Sequence, residues 1–261
     1  MASNGHGFVP PLLTDADPAP VTIINPDGSS PFLFIGDHAG NVIPSSLCDL
    51  RLPEAQRTRH IAWDIGVAAL GGRLAQAMDA TFVRQSYSRL VVDCNRKPDA
   101  VDAIPAVSDG VPILANQSLT LVERNSRYTE IHEPYQQAVA ATLAARDARG
   151  QQSILISLHS FTPALRDGPP RPWQIGVLYD GGDATFATAL LTSFRRDPAL
   201  TVGDNEPYRM DLIDYTVPRH AYPTRRLYAE LEIRQDLLST QEQQAWWTSR
   251  LQAELLATAS A

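Results

Sequence analysis

SILISL, residues 153–158, decides the fold class, because this short run rich in Ile and Leu predicts a buried strand. Residues 162–172, which follow it, are rich in Pro, Arg and Gly and predict a loop. Five further short runs of apolar or β-branched residues predict strands at 32–35, 81–83, 90–92, 174–178 and 227–233.

Helices are predicted between these strands. Apolar residues recur at helical spacing in 65–78, 119–149, 183–194 and 240–257, and Pro134 should bend the second of these helices. Strands that alternate with helices are typical of an α/β protein. We therefore expect one domain, with a central mixed, largely parallel sheet flanked by helices. Residues 98–118 show no period and predict a long loop, a feature that is usually functional in a compact domain.

Composition and charge exclude several classes of protein. The 261-residue chain is 44% hydrophobic and 20% charged, as in ordinary globular proteins. Its net charge of -7 argues against a nucleic-acid-binding protein, which would carry a basic face. No apolar run reaches the ~20 residues that span a bilayer, so no membrane partner is expected.

The ends of the chain and its cysteines complete this picture. Residues 1–20, rich in Pro, Gly, Ala and Asp, are expected to form a flexible arm before a single domain at 21–261. They lack the basic and apolar regions of a signal peptide, and two cysteines imply no disulfide framework. We therefore expect a cytoplasmic protein.

Polar residues of catalytic type follow four of the predicted strands. The strand endings lead into His38, Asp93, His159 and Glu232. Open α/β sheets place their sites beyond the carboxyl ends of the strands. The four endings therefore predict a metal-dependent or acid–base hydrolase.

Zinc suits the residue types found here. Imidazole and carboxylate are common zinc ligands, and a catalytic zinc takes three of them and leaves a position for water. His38 and His159 follow separate strands, and Asp64 stands at the start of a predicted helix between them. Spacing alone does not establish that the three converge, and an N-cap of that helix is the alternative for Asp64.

Seven short motifs occur in order along the chain. They are DHAGNxxP (37–44), WDIG (63–66), SRLVVDCNR (88–96), SLHSFTP (157–163), GVLYD (176–180), NEPY (205–208) and EIRQDL (232–237). Together they resemble the N-formylglutamate amidohydrolase family over roughly residues 30–240. The resemblance implies a fold like that of the zinc carboxypeptidases and other phosphorylase/hydrolase-like proteins, with one zinc per chain.

The resemblance also implies roles for individual residues. His38 and His159 match zinc ligands, but Asn41 stands where the carboxypeptidases have a glutamate ligand, so Asp64 is expected to be the third ligand. Glu232 matches the general base and acid. The alternative for Glu232 is an ion pair with a residue on the same face of its strand, Arg234.

Five further residues are expected to act on the substrate. Arg89 matches the arginine that stabilises the oxyanion, and Asn95 and Arg96 match the pair that holds a substrate carboxylate. For both arginines the alternative is a solvated surface position. Tyr179 and His220 are also expected to contact substrate, with Tyr208 as a weaker candidate.

The expected reaction is zinc-dependent hydrolysis of an N-formyl or N-acyl acidic amino acid. The products would be the free amino acid and formate or another carboxylate. Two alternatives stay open. One is an amidohydrolase for a different N-acyl amino acid or an aryl amide, such as an N-acylaspartate. The other is a metal-free protein that binds small carboxylates.

Overall fold

The computed structural model describes residues 11–210 and 214–260. The strands in these ranges are β1 (Val21–Ile24), β2 (Phe32–Gly36), β3 (Thr81–Gln85), β4 (Val107–Ser108), β5 (Val111–Pro112), β6 (Ile154–Phe161), β7 (Ile175–Leu178), β8 (Val202–Asp204) and β9 (Tyr228–Arg234). The α-helices are α1 (Glu54–Arg57), α2 (Val67–Ala77), α3 (Leu121–Arg127), α4 (Glu133–Ala148), α5 (Thr185–Phe194), α6 (Thr216–Ala221) and α7 (Gln241–Ala259).

A seven-stranded mixed sheet forms the centre of the molecule, in the order β1-β3-β2-β6-β9-β7-β8. The central strands β3, β2, β6 and β9 are parallel to one another. β1 and β7 run antiparallel to their neighbours β3 and β9, and β8 is parallel to β7. This sheet confirms the predicted α/β class and the mixed, largely parallel arrangement.

Apolar side chains of the central strands enter two layers, one on each face of the sheet. Phe34 and Ile156 pack with α2, α5 and α7 on one face. Leu33 and Leu155 pack with α4, α6 and the surrounding loops on the other face. Burial on both faces explains why these strands appear in the sequence as unbroken apolar runs.

The prediction of a strand at 90–92 is wrong, because these residues form turns outside the sheet. Leu90 and Val91 are nevertheless buried. Their carbonyl groups accept hydrogen bonds from the side chains of Asn116 and Arg127, each at 2.9 Å, instead of from a neighbouring strand. The apolar run at 90–92 therefore predicted the burial of these residues correctly and their secondary structure incorrectly.

Two other predictions are refined by the structure. The helix expected at 119–149 is divided into α3 and α4 by a π-helical turn at Tyr128–His132, and Pro134 lies in the first turn of α4, where its missing N–H is tolerated. The long loop at 98–118 contains the small hairpin of β4 and β5.

The first ten residues of the predicted N-terminal arm lie outside the described residues. Residues 11–20 are docked on the domain, since Leu12 is buried and the backbone N–H groups of Leu12 and Leu13 donate to the Glu130 carboxylate, each at 2.9 Å. Across the described ranges, no helix combines the length and apolar character that crossing a membrane requires.

Candidate active site

The register of the sheet brings acidic and imidazole side chains to one face. In the parallel pair β6 and β9, Ser157 lies opposite Glu230 and His159 lies opposite Glu232. Residues two apart on a strand point to the same side, so these four side chains share one face of the sheet. The loop that carries His38 follows β2, the other neighbour of β6.

Two loops meet beside this face. A Cβ atom at Gly40 would lie 2.1 Å from the backbone of Ser86, so only glycine allows the His38 loop to pack there. The backbone N–H of Asp64 donates to the carbonyl of His38 at 2.9 Å. Helix α2 begins after Gly66 and has no side-chain cap. The alternative of Asp64 as a helix cap is therefore not observed.

His38, Asp64 and His159 form a buried group that could bind a metal ion. One ligand atom from each lies within 4.8 Å of the others. Oδ2 of Asp64 is 2.9 Å from Nδ1 of His159 and 3.5 Å from Nδ1 of His38. Nδ1 of His38 is buried without a hydrogen-bond partner in the described part of the chain. A metal ion would satisfy this nitrogen, and two imidazoles with one carboxylate fit zinc.

The opposite nitrogen of each ring is held by polar partners. Nε2 of His38 lies 2.7 Å from Oδ1 of Asp93. Nε2 of His159 lies 3.0 Å from Oγ of Ser157 and 3.5 Å from Oδ2 of Asp37. Metal-binding histidines are typically fixed in this way, which sets the ring orientation and the tautomer. The arrangement directs Nδ1 of both rings toward Asp64.

Carboxylates give this cluster a strong preference for positive charge. Burial alone would lower the pKa of His38, yet Asp93 and Asp64 raise it. Burial also opposes protonation of His159, and Glu230 together with Asp64 nevertheless raises the pKa of His159 well above its ordinary value. The negative charge of the neighbouring carboxylates therefore outweighs the effect of burial on both imidazoles.

Glu232 is a buried carboxylate beside the cluster. Burial raises the pKa of Glu232 to about 7, and its Oε2 has no hydrogen-bond partner among the described residues. The expected alternative partner, Arg234, instead donates to Asp236 at 2.8 Å. Glu232 is therefore a carboxyl group with a free oxygen and a pKa near neutrality.

Both predicted arginines are held by carboxylates, so neither is a freely solvated surface residue. Arg89 donates to Asp93 at 2.7 Å, and its Nη1 lies 3.6 Å from Asp64. Arg96 donates to Asp102 at 2.8 Å.

Asn95 has a positioning role in the fold. Its Oδ1 accepts the backbone N–H groups of Tyr215 and Thr216, each at 3.0 Å, and its Nδ2 donates to Asp214 at 3.0 Å. These bonds fix the start of α6 against the loop that carries Arg96.

A cavity of about 420 Å³ opens in front of these groups. Its walls include most of the predicted site residues, namely His38, Asp64, Arg89, Asn95, Arg96, His159 and Glu232. They also include residues to which sequence analysis gave no firm role, namely His60, Asp102, Asp109, Tyr208, Asp214 and Glu230. A cavity of about 740 Å³ lies at the amino ends of β6 and β9, near Asp147 and Arg226, and no histidine lines it. Volume alone therefore does not identify the site.

Two predicted substrate contacts, Tyr179 and His220, do not line the 420 Å³ cavity. The hydroxyl of Tyr179 donates to Asp204 at 2.8 Å near the edge of the sheet. Nε2 of His220 lies 2.8 Å from Oε1 of Gln136, between α6 and α4. Tyr208 lines the cavity instead, and its hydroxyl accepts a hydrogen bond from Arg171 at 3.0 Å.

Comparison with known proteins identifies a family and similar structures. The family described as N-formylglutamate amidohydrolase matches residues 30–239. The gene product Atu2144 from Agrobacterium tumefaciens has a similar structure, with a TM-score of 0.91 and 33% identity over 95% of this chain and 98% of that chain. N-formylglutamate amidohydrolase from Ralstonia eutropha JMP134 shares the fold, with a TM-score of 0.69 and 21% identity over 93% and 97%. No curated protein matches the chain. The family match covers most of the sequence, so this chain belongs to the N-formylglutamate amidohydrolase family.

Proposed function

We propose that the protein is a zinc-dependent amidohydrolase that cleaves the amide of an N-formyl or N-acyl acidic amino acid. The observation that carries this proposal is the buried group of His38, Asp64 and His159, with the free carboxyl oxygen of Glu232 beside it. Membership of an amidohydrolase family supports the same reaction class. Neither feature is needed by a protein that only binds small carboxylates.

His38 and His159 would hold the zinc through Nδ1, and Asp64 would hold it through a carboxylate oxygen. When bound, zinc supplies Lewis acidity that polarises the scissile carbonyl and lowers the pKa of water. Asp93 and Asp37 keep the two imidazoles oriented, since each lies on the Nε2 side of its ring.

Glu232 would move the proton in this reaction. Its Oε2 accepts a proton from water as the water oxygen bonds to the amide carbon. Glu232 then donates that proton to the nitrogen as the C–N bond breaks, which releases a carboxylate and a free amine. Burial raises the pKa of Glu232, which makes its carboxylate a better acceptor for the proton of water.

The two arginines would bind the negative charges of the reaction. Arg89, oriented by Asp93, would donate to the oxygen of the amide as it gains charge in the transition state. Arg96, adjacent to the fixed Asn95, would hold a carboxylate of the substrate through its planar guanidinium.

A panel of N-formyl and N-acyl amino acids tests this function. Release of free amino acid from N-formyl-L-glutamate is expected, with loss of activity after chelation and recovery on adding zinc. Faster release from N-acylaspartates or aryl amides would change the substrate and keep the reaction. Full turnover by protein shown to be metal-free would contradict the zinc requirement, and no release from any amide by zinc-loaded protein would favour a binding protein.

A further inference from the structure

The two arginines of the cavity differ in the carboxylates that hold them. Asp93, the partner of Arg89, has a side chain that is 5% exposed and also contacts His38. Asp102, the partner of Arg96, has a side chain that is 56% exposed. The first carboxylate is fixed inside the protein, whereas the second reaches in from the rim of the cavity.

Asp102 contacts the Nε side of the Arg96 guanidinium. Its Oδ2 accepts a hydrogen bond from Nε of Arg96 at 2.8 Å. Nη1 of Arg96 is engaged on the other side, where it donates to the carbonyl of Asn95 at 3.0 Å and lies 3.6 Å from Asp214. The Nε edge is one of the edges through which a guanidinium binds a carboxylate in two parallel hydrogen bonds. A carboxylate of the protein therefore occupies one of the edges through which Arg96 could bind a substrate carboxylate.

We propose that Asp102 is an internal competitor for the substrate carboxylate, and that it sets the affinity of the site by occupying Arg96 until substrate displaces it. This inference rests on the proposed function, in which Arg96 reads a carboxylate of the substrate. It adds a specificity-determining residue in the long loop at 98–118.

The local structure allows Asp102 to move without disturbing the core. It lies in the short turn Val101–Ala103, and the neighbouring Val101 is 93% exposed. The turn is anchored through its backbone, because the N–H of Asp93 donates to the carbonyl of Ala103 at 2.7 Å. A rotation of the Asp102 side chain would move an already half-hydrated carboxylate into water.

Asp214 does not have the same freedom. Its side chain is 10% exposed, and its Oδ1 accepts a hydrogen bond from Nδ2 of Asn95 at 3.0 Å. Asp214 therefore stays beside Nη1 when a substrate carboxylate takes the Nε edge. Displacement of one exposed ion pair carries a small free-energy cost, so competition tunes affinity and does not abolish binding.

The substitution Asp102→Asn tests this inference. It removes the competing charge, so KM for N-formyl-L-glutamate should fall about two- to five-fold, the range that an exposed ion pair corresponds to, while kcat stays unchanged. The dissociation constant of the product L-glutamate, measured by calorimetry on zinc-loaded protein, should fall by a similar factor and does not depend on turnover. Asp99→Asn is the matched control, because it removes one exposed negative charge from the same loop.

Arg96→Lys provides a second control. In that background Asp102→Asn should have little effect, because the lysine cannot form the two-pronged contact that Asp102 blocks. If the wild type turns over substrate, two results would overturn this inference alone. Weaker glutamate binding in Asp102→Asn would show that Asp102 positions Arg96, and unchanged binding would show that Asp102 does not compete for it. If the zinc-loaded wild type hydrolyses no N-formyl or N-acyl acidic amino acid and binds no acidic amino acid, the proposed function fails, and this inference fails with it.

Discussion

Four histidines are buried in the described structure, and they form two pairs that differ in the groups around their rings. We call His38 and His159 the front layer and His132 and His220 the back layer. In the front layer, His38 and His159 line the cavity and lie among carboxylates. In the back layer, Nε2 of His132 lies 2.9 Å from the carbonyl of Arg96, and His220 contacts the amide of Gln136. All four are between 3% and 9% exposed, so burial does not distinguish them.

The pKa values of the four histidines separate the layers. Burial lowers the pKa of His132 and lowers that of His220 to about 4. In the front layer the surrounding carboxylates outweigh burial and raise the pKa of both histidines. The front-layer imidazoles are thus surrounded by negative charge, whereas the back-layer imidazoles are buried among neutral groups of the fold. Substitutions in the front layer should therefore affect metal binding and catalysis, and substitutions in the back layer should affect the stability of the fold.

The largest effect is expected in front, at Glu232. Glu232→Gln keeps the shape of the side chain and removes its ability to take a proton, so kcat should fall on the order of 10² to 10⁴-fold. Zinc content and thermal unfolding should stay as in the wild type, because the residue is not one of the proposed ligands. Tyr179→Phe, outside the cavity, is the control. Turnover close to that of the wild type in Glu232→Gln would remove Glu232 from the mechanism.

A smaller effect is expected at Asp93, which holds the Nε2 side of His38. Asp93→Asn keeps a hydrogen-bond acceptor and removes the charge, so zinc affinity should fall about 10- to 100-fold, as is usual for partners of ligand histidines. Competition with a chelating dye measures this affinity. The exposed Asp99→Asn serves as the control, and equal affinity in both variants would mean that Asp93 does not support the metal site.

Arg89 gives a prediction that separates the two arginines of the front layer. Arg89→Lys should lower kcat and kcat/KM together, because its contact with the oxyanion strengthens only in the transition state. Arg96→Lys should instead raise KM, since a point charge cannot replace the planar guanidinium. Steady-state kinetics on both variants decides between the roles, and a rise in KM alone in Arg89→Lys would contradict the oxyanion role.

In the back layer, His220 should make the stability of the protein depend on pH. His220 has a pKa of about 4 in the folded protein and an ordinary pKa near 6.5 when unfolded. Between these values the unfolded chain binds the extra proton, so stability should fall as the pH drops from 6.5 toward 4. Between pH 7.5 and 5 this amounts to about 2 kcal/mol.

Urea unfolding of the wild type and His220→Gln at both pH values measures this contribution. The variant should lose about 2 kcal/mol less than the wild type on acidification, because glutamine does not titrate. If both proteins lose the same free energy of unfolding on acidification, other groups cause the loss and His220 does not contribute to it.

Much of the front layer could be predicted from the sequence, because residues of catalytic type stand at or just beyond the carboxyl ends of predicted strands, and such ends meet at one edge of an α/β sheet. The positions of His38, His159 and Glu232 at the cavity agree with this prediction, and those of Asp64, Arg89 and Arg96 agree with the family motifs. The partner of each residue could not be predicted. Asp93 was predicted only as a polar residue that follows a strand. Its contact with His38 depends on the turn that replaces the strand predicted at 90–92.

Other parts of the site depend on register and loop geometry. Glu230 enters the cavity because it is two residues from Glu232 on β9, which becomes informative only once the facing side of that strand is known. Tyr179 and His220 were predicted to contact substrate. In the structure the hydroxyl of Tyr179 contacts Asp204 at the edge of the sheet, and His220 of α6 contacts Gln136 of α4. Spacing along the chain carries no information about these contacts.

Zinc content is the measurement that tests the account most directly. Elemental analysis should find about one zinc per chain in the wild type and in the back-layer variant His220→Ala. His38→Ala and His159→Ala should each lose most of the metal while remaining folded by circular dichroism. Full zinc content in both front-layer variants, or its loss in His220→Ala while that variant remains folded, would contradict the assignment of the metal site to His38, Asp64 and His159.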